Sequence, residues 1–131
     1  MIIDKQILDE LTLQAKASPR LRQSMDLRNT PNDQSQRMLN ALEPGTVMPI
    51  HRHFASSETV AILRGKISWF FYDDNGVLTE EIILDANGEI RCINAEKGRW
   101  HSLECLESGS VILESKDGAY APLTEDEIFE K

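Results

Sequence analysis

The sequence predicts an all-β fold, a barrel or sandwich of about eight short strands behind a short N-terminal helical segment. Three observations predict it. From residue 36 onward, short apolar-rich runs recur between turn residues: Gly45, Gly65, Asp74-Asn75-Gly76, Asn87-Gly88, Lys97-Gly98 and Ser108-Gly109. Asn75-Gly76 is a strong hairpin signal, because both residue types accept the positive φ of a tight turn. The chain has 131 residues, 40% of them hydrophobic and 27% charged, which suits one domain with its own core.

Residues 4–17 read as the helix. Ile7, Leu8, Leu11 and Ala15 recur at helical spacing, and Asp4 can cap the free amides of the first turn. Ser18-Pro19 ends it, since proline restricts its predecessor and lacks an amide donor. Residues 18–35 read as a polar arm with Arg20, Arg22 and Arg28, basic enough for an anion site, and Asn29-Thr30-Pro31-Asn32-Asp33 as loop. Strands are expected over 36–42, 47–53, 58–64, 66–73, 78–84, 89–94, 100–106 and 110–115. Ile67, Trp69 and Phe71 alternate with Ser68, Phe70 and Tyr72, so aromatic rings on both faces call for a cover, the helix or a second copy of the chain. Thr124 and Glu127 can form a capping box in a short, loosely packed tail with a frayed end. The organisation read from this is an arm (1–35), a barrel (36–118) and a tail (119–131).

Acidic residues outnumber basic ones, 22 to 14, for a net charge of -8. That argues against nucleic-acid binding through a general basic surface and against adhesion to an anionic membrane. The start turns polar too soon for a signal peptide, and no apolar run reaches the length of a bilayer span. Two cysteines cannot make a disulfide framework, so the expectation is a cytoplasmic protein with reduced thiols. Cys92 shares a strand face with Ile90 and reads as core.

The three histidines carry the chemistry. His51 and His53 stand two apart on an expected strand, which places both rings on one face. Glu58 follows Phe54-Ala55-Ser56-Ser57, and Val60 and Ile62 continue its face, so the carboxylate points where the core points. A carboxylate there is costly unless paired or metal-bound. His101 lies on a later strand with Leu103 and Cys105 on its face, while Ser102 and Glu104 face away. Three imidazoles and one carboxylate suit one divalent transition metal, Fe, Ni, Mn, Zn or Co, provided the sheet curls enough to bring the strands together.

These residues resemble the first motif of the cupin superfamily: Pro44-Gly45, five residues from Thr46 to Ile50, His51-Arg52-His53, four residues, Glu58, six residues, Gly65. The second cupin motif survives only at its centre, Gly98-Arg99-Trp100-His101. Glu96, Cys105 and Ile90 stand where that motif has proline, asparagine and its first glycine. Gln36-Arg37-Met38-Leu39-Asn40-Ala41-Leu42 ahead of Pro44-Gly45, with the N-terminal helix and the Arg28-Asn29 loop, is similar to the WbuC-type cupins, often associated with surface-polysaccharide gene clusters. The resemblance implies a jelly-roll β-barrel with a metal on His51, His53, Glu58 and His101. It implies no single reaction, because cupins include dioxygenases, isomerases, epimerases, decarboxylases, regulatory domains and storage proteins.

Around the metal, Arg37, Asn40, Cys105, Arg28 and Asn29 are candidate pocket residues. Arg37 and Asn40 have opposite parity, so without a bulge only one faces the cavity. Cys105 is a candidate fifth ligand or a small buried hydrophobe, and Tyr120 a candidate to close the mouth. The expected function is a metal-dependent enzyme on a small polar metabolite or sugar derivative linked to polysaccharide metabolism, acting as a homodimer. The competing expectations are a non-catalytic metal-dependent sugar-binding or regulatory module, and a structural domain whose metal is a staple.

Overall fold

The computed structural model describes residues 1–130. Among them, helix α1 (Lys5–Ala17) precedes β1 (Arg22–Asp26), β2 (Ser35–Leu42), β3 (Glu58–Arg64), β4 (Lys66–Tyr72), β5 (Leu78–Asp85), β6 (Cys92–Ala95), β7 (Trp100–Cys105) and β8 (Ser110–Asp117). A single 3-10 turn, Glu125–Glu127, follows. No helix among the described residues is long and apolar enough to cross a membrane.

The strands form two antiparallel sheets, β1-β2-β8-β3-β6 and β5-β4-β7. This corrects the expected closed jelly-roll barrel. Both sheets are open, with β1 and β6 as the edges of one and β5 and β7 as the edges of the other. The strand expected over 47–53 is the missing stave. Pro49 removes an amide donor from its middle, and the segment makes only isolated bridges at His51. The all-β expectation is corrected with it. Leu11 and Ala15 of α1 are fully packed against Leu39, Ala41 and Val111 on the outer face of the five-stranded sheet, giving the molecule a second, helix-on-sheet core. The architecture is a mixed α/β one with two open sheets.

The helix forms for the reasons its sequence gives. Asp4 Oδ1 accepts from the Ile7 amide at 3.1 Å, and the Ser18 amide closes the far end on the Ala15 carbonyl. Arg64 clamps it to the sheet through Asp9 and Thr12. The helix packs on β1, β2 and β8, so it is not what covers Phe70 and Tyr72. Part of the basic arm is also a strand, because β1 pairs with β2 from Arg22↔Leu42 to Asp26↔Met38.

The main core lies between the sheets. Ile67, Trp69 and Phe71 of β4 meet Val60 and Ile62 of β3, Leu42 of β2 and Ile112 of β8, in the alternation the sequence shows. The hairpin between β4 and β5 forms where expected, but only Gly76 takes a positive φ, 77°. Cys92 is not core. It lies exposed on edge strand β6, whose inward residues are Ile93 and Ala95. Ser102 is buried rather than wet, because the irregular segment before His51 covers β7 and the Ser102 hydroxyl meets the Met48 carbonyl at 3.4 Å.

Gly65 turns the chain from one sheet to the other with φ 84°. A Cβ there would collide with Ser110 Oγ and stand 2.7 Å from Ser110 Cα. Gly65→Ala is therefore expected to destabilise the fold by about 2 kcal/mol, from the left-handed backbone and the collision together. A urea titration checks it, and an unchanged midpoint would contradict the strain.

Candidate metal centre

His51, His53, Glu58 and His101 converge at the open end of the space between the sheets. One ligand atom from each lies within 4.8 Å of the others. No barrel closure is needed to bring them together. His51 and His101 exchange both backbone hydrogen bonds across an isolated antiparallel bridge, 2.9 and 2.8 Å, which sets their rings 4.3 Å apart on the same side. His53 is tied by its carbonyl to the Gly98 amide at 2.8 Å, which explains why the glycine turn before His101 matters. Glu58 opens β3, one inward step from Val60, and is 4% exposed.

Two of the rings are set as ligands. His51 Nδ1 donates to the Pro49 carbonyl at 2.8 Å and His101 Nδ1 to the Arg99 carbonyl at 2.9 Å. A carbonyl only accepts, so Nδ1 carries the proton in each ring and Nε2 is the free nitrogen. The Trp69 indole stacks on His101, centroids 5.0 Å apart and planes 11° from parallel.

The electrostatics fit a cation. His53 Nε2 and His101 Nε2 lie 3.2 and 3.3 Å from Glu58 Oε2, yet all three buried atoms lack an aligned hydrogen-bond partner. Burial, with the neighbouring His101 charge, pushes the His51 pKa down to about 4, so its imidazole is neutral at pH 7. Burial alone would push the Glu58 carboxyl up, but His101 and His53 outweigh it and hold the carboxyl below its ordinary range. Two ligand-ready imidazoles, a third beside them and an anionic carboxylate, with three orphaned polar atoms among them, match what a divalent transition metal binds.

The four side chains line a cavity of about 160 Å³, together with Asn40, Met48, Trp69, Glu114, Lys116 and the tail residues Tyr120 to Leu123. The tail is not frayed over its described residues. The Phe129 amide donates to the Ile50 carbonyl and the Arg52 amide to the Glu127 carbonyl, and the Phe129 ring packs on Trp100. Thr124 and Glu127 pair as the capping box suggests. Lys131, the last residue of the expected tail, lies outside the described residues.

The candidate pocket residues divide. Asn40 lines the cavity. Arg37, of opposite parity, points to the helix side and is held by Asp33 and the Leu27 carbonyl. Asn29 is folded into its own loop, its amide on Asp33. Arg28 pairs with Asp26 on both oxygens and lines a neighbouring groove. Cys105 sits in the main core, its thiol directed at the Leu42 and Glu107 carbonyls, and does not line the cavity. Burial pushes its pKa up, away from the thiolate a metal takes.

Sequence reading missed Glu114. It is buried in the cavity wall, and its Oε1 accepts from Asn40 Nδ2 at 3.0 Å. Burial, reinforced by the Glu58 charge, raises its pKa to about 7. Its signal was available: Glu114 has the parity of Ile112 on β8, the same argument that turns Glu58 inward. The Trp69 indole N–H is also buried without a hydrogen-bond partner.

The fold is like those of several solved proteins. KdgF from Halomonas sp. superposes with a TM-score of 0.63 at 16% identity, over 79% of this chain and 84% of that one. The capsular polysaccharide assembling protein CapF from Staphylococcus aureus gives a TM-score of 0.66 at 20% identity, over 80% of this chain and 30% of that one. An oxalate decarboxylase from Bacillus subtilis gives 0.59 at 19% identity, over 83% of this chain and 27% of that one. The chain thus spans most of KdgF but under a third of the other two, and at these identities the likeness is one of fold. No curated protein matches the sequence. A family described as "Domain of unknown function (DUF6016)" matches residues 3–84, well over half of the chain, and the protein belongs to that family.

Proposed function

We propose that the protein is a metal-dependent enzyme acting on a small polar metabolite, a sugar derivative linked to polysaccharide metabolism. The observation that carries this reading is the convergence of His51, His53, Glu58 and His101 on a cavity whose wall also holds a buried carboxylate, Glu114. The four would hold one divalent metal, Fe, Ni, Mn, Zn or Co, which when bound supplies Lewis acidity and lowers the pKa of a coordinated oxygen. The similarity to WbuC-type cupins and the likeness of fold to CapF support the sugar part of the reading.

The chain's own residues supply the rest. Glu114 can hold a proton near neutrality and pass it to or from a substrate atom, which is the work of a general acid or base. Asn40 orients that carboxyl. The Trp69 N–H is free to donate to a substrate oxygen. Tyr120, Pro122 and Leu123 cover the cavity and limit water. A metal that only staples strands is disfavoured, because Phe71 and its neighbours pack beneath the site and leave the cavity open.

The test is turnover of a panel of sugar acids and sugar phosphates by metal-loaded protein, followed by NMR. Turnover that disappears in Glu58→Gln is the expected result. Saturable binding of a panel member without product would instead make the protein a binding module.

A further inference from the structure

The polar inner face of the five-stranded sheet continues past the metal centre. Alternation and register put Gln36, Met38 and Asn40 of β2, and Arg22, Ser24 and Asp26 of β1, on the face that carries Glu58, Glu114 and Lys116. Lys116 stands opposite Glu58 on one side and opposite Gln36 on the other. A groove of about 390 Å³ lies over this stretch and shares Asn40, Lys116 and Tyr120 with the metal cavity. From Glu58 on β3 to β1 is three strand spacings, about 14 Å, which is longer than one sugar ring.

The groove is basic in a chain of net charge -8. Arg20, Arg22, Arg28 and Lys116 line it against a single carboxylate, Asp26. Asp26 is taken by Arg28, at 2.6 Å, and the Arg28 guanidinium also lies 5.6 Å from the Tyr120 ring centre. Among the described residues, the side chains of Arg20, Arg22 and Lys116 make no ion pair. Arg22 gives one N–H to the Val47 carbonyl at 2.7 Å and keeps the others. Burial of the half-buried Arg22, and then the charge of the exposed Arg20, lowers the Arg22 pKa against the Glu114 charge, which raises it, so the two arginines repel each other across the groove. Like charges gathered this way are relieved by an anion between them.

We propose that this groove seats the anionic end, carboxylate or phosphate, of an elongated substrate whose other end reaches the metal centre. The assignment rests on the enzymatic reading above and names the substrate class that reading leaves open. Arg20 and Lys116 are the cations that meet the anion, and Arg22 backs them.

The test titrates isotope-labelled protein with glucuronate, glucose 6-phosphate and neutral glucose at matched ionic strength, reading amide shifts. At least one acid should shift the Arg20, Arg22 and Lys116 amides while glucose does not, and the tighter acid identifies carboxylate or phosphate. Arg20→Gln and Lys116→Gln should each weaken that acid by about tenfold, the worth of one charge-assisted hydrogen bond. Circular dichroism shows that each variant is folded. The proposal is overturned if neither acid shifts these amides, if glucose binds as well as the acids, or if either folded variant binds the acid unchanged. The titration is repeated on chelated protein, where groove shifts should persist. Absence of metal from purified protein would defeat the metal reading and leave the groove result standing on its own.

Discussion

His101→Ala is expected to lose more than about 100-fold in affinity for a divalent transition metal, since even removal of an outer-shell partner of a ligand costs 10–100-fold. The effect follows from where His101 stands. Its ring is 3% exposed, its Nδ1 is committed to the Arg99 carbonyl, and its Nε2 faces Glu58 and the other imidazoles. Competition against a fluorescent chelator measures the loss. Because Trp69 packs flat on the ring, the alanine also leaves a void. His101→Gln, which fills more of the space, separates loss of a ligand from loss of packing. Cys105→Ser is the control. Its thiol faces the Leu42 and Glu107 carbonyls, so metal affinity should not change. Full metal occupancy in both His101 variants would remove His101 from the ligand set.

Glu114→Gln is expected to gain stability over the parent protein as pH rises. The folded-state pKa of Glu114 is raised to about 7 from the ordinary 4.5, chiefly by burial. Between those values the folded chain keeps a proton that the unfolded chain releases, so stability falls as pH rises through this window. Glutamine keeps the shape and can still accept from Asn40, but it has no proton to lose. For chelated protein, the variant's advantage should grow by roughly 2 to 3 kcal/mol between pH 5 and pH 8. Urea titrations at the two pH values measure it. A difference that stays constant with pH would show Glu114 ionising as an ordinary surface carboxylate. Under the enzymatic reading, the same substitution lowers turnover by about 10²-fold or more while metal content holds.

The metal cluster was legible because it rests on local rules. Glu58 shares the parity of Val60 and Ile62 on β3, so its direction follows from alternation, and the two-residue spacing of His51 and His53 suggested a shared side that the structure reaches through the His51 bridge and the His53 carbonyl instead. What brings His51 to His101 was not legible. The sequence suggested two full strands in a closed barrel, whereas a single backbone bridge does the work and Pro49 keeps its segment irregular. Closure of a sheet is a long-range property, and turn spacing cannot distinguish a barrel from two facing open sheets. Strand β1 escaped notice because its inward residues, Arg22, Ser24 and Asp26, are all polar and leave no apolar alternation to read. Cys92 was misplaced because an edge strand shows the same alternation as a central one, and only pairing shows which face is covered. Glu114 was readable by the parity argument that placed Glu58, and Lys116 fell one residue beyond the expected end of its strand.

The site has a consistent physical design. Backbone carbonyls fix two histidine tautomers, a buried carboxylate is held below its ordinary range by the His101 and His53 imidazoles and the Lys116 charge, and a second carboxylate nearby is raised toward neutrality. An arrangement of this kind, without a cation, leaves Glu58 Oε2 and two imidazole nitrogens buried and unpartnered, which folding avoids unless something else satisfies them.

Elemental analysis of the protein, purified without a metal-affinity tag and run beside an anaerobic preparation, tests this most directly. One transition-metal ion per chain in the wild type, absent from His101→Gln, is the predicted result. Near-zero metal in both preparations, with no uptake on adding Fe, Ni, Mn, Zn or Co salts, would contradict the metal centre and leave only the fold.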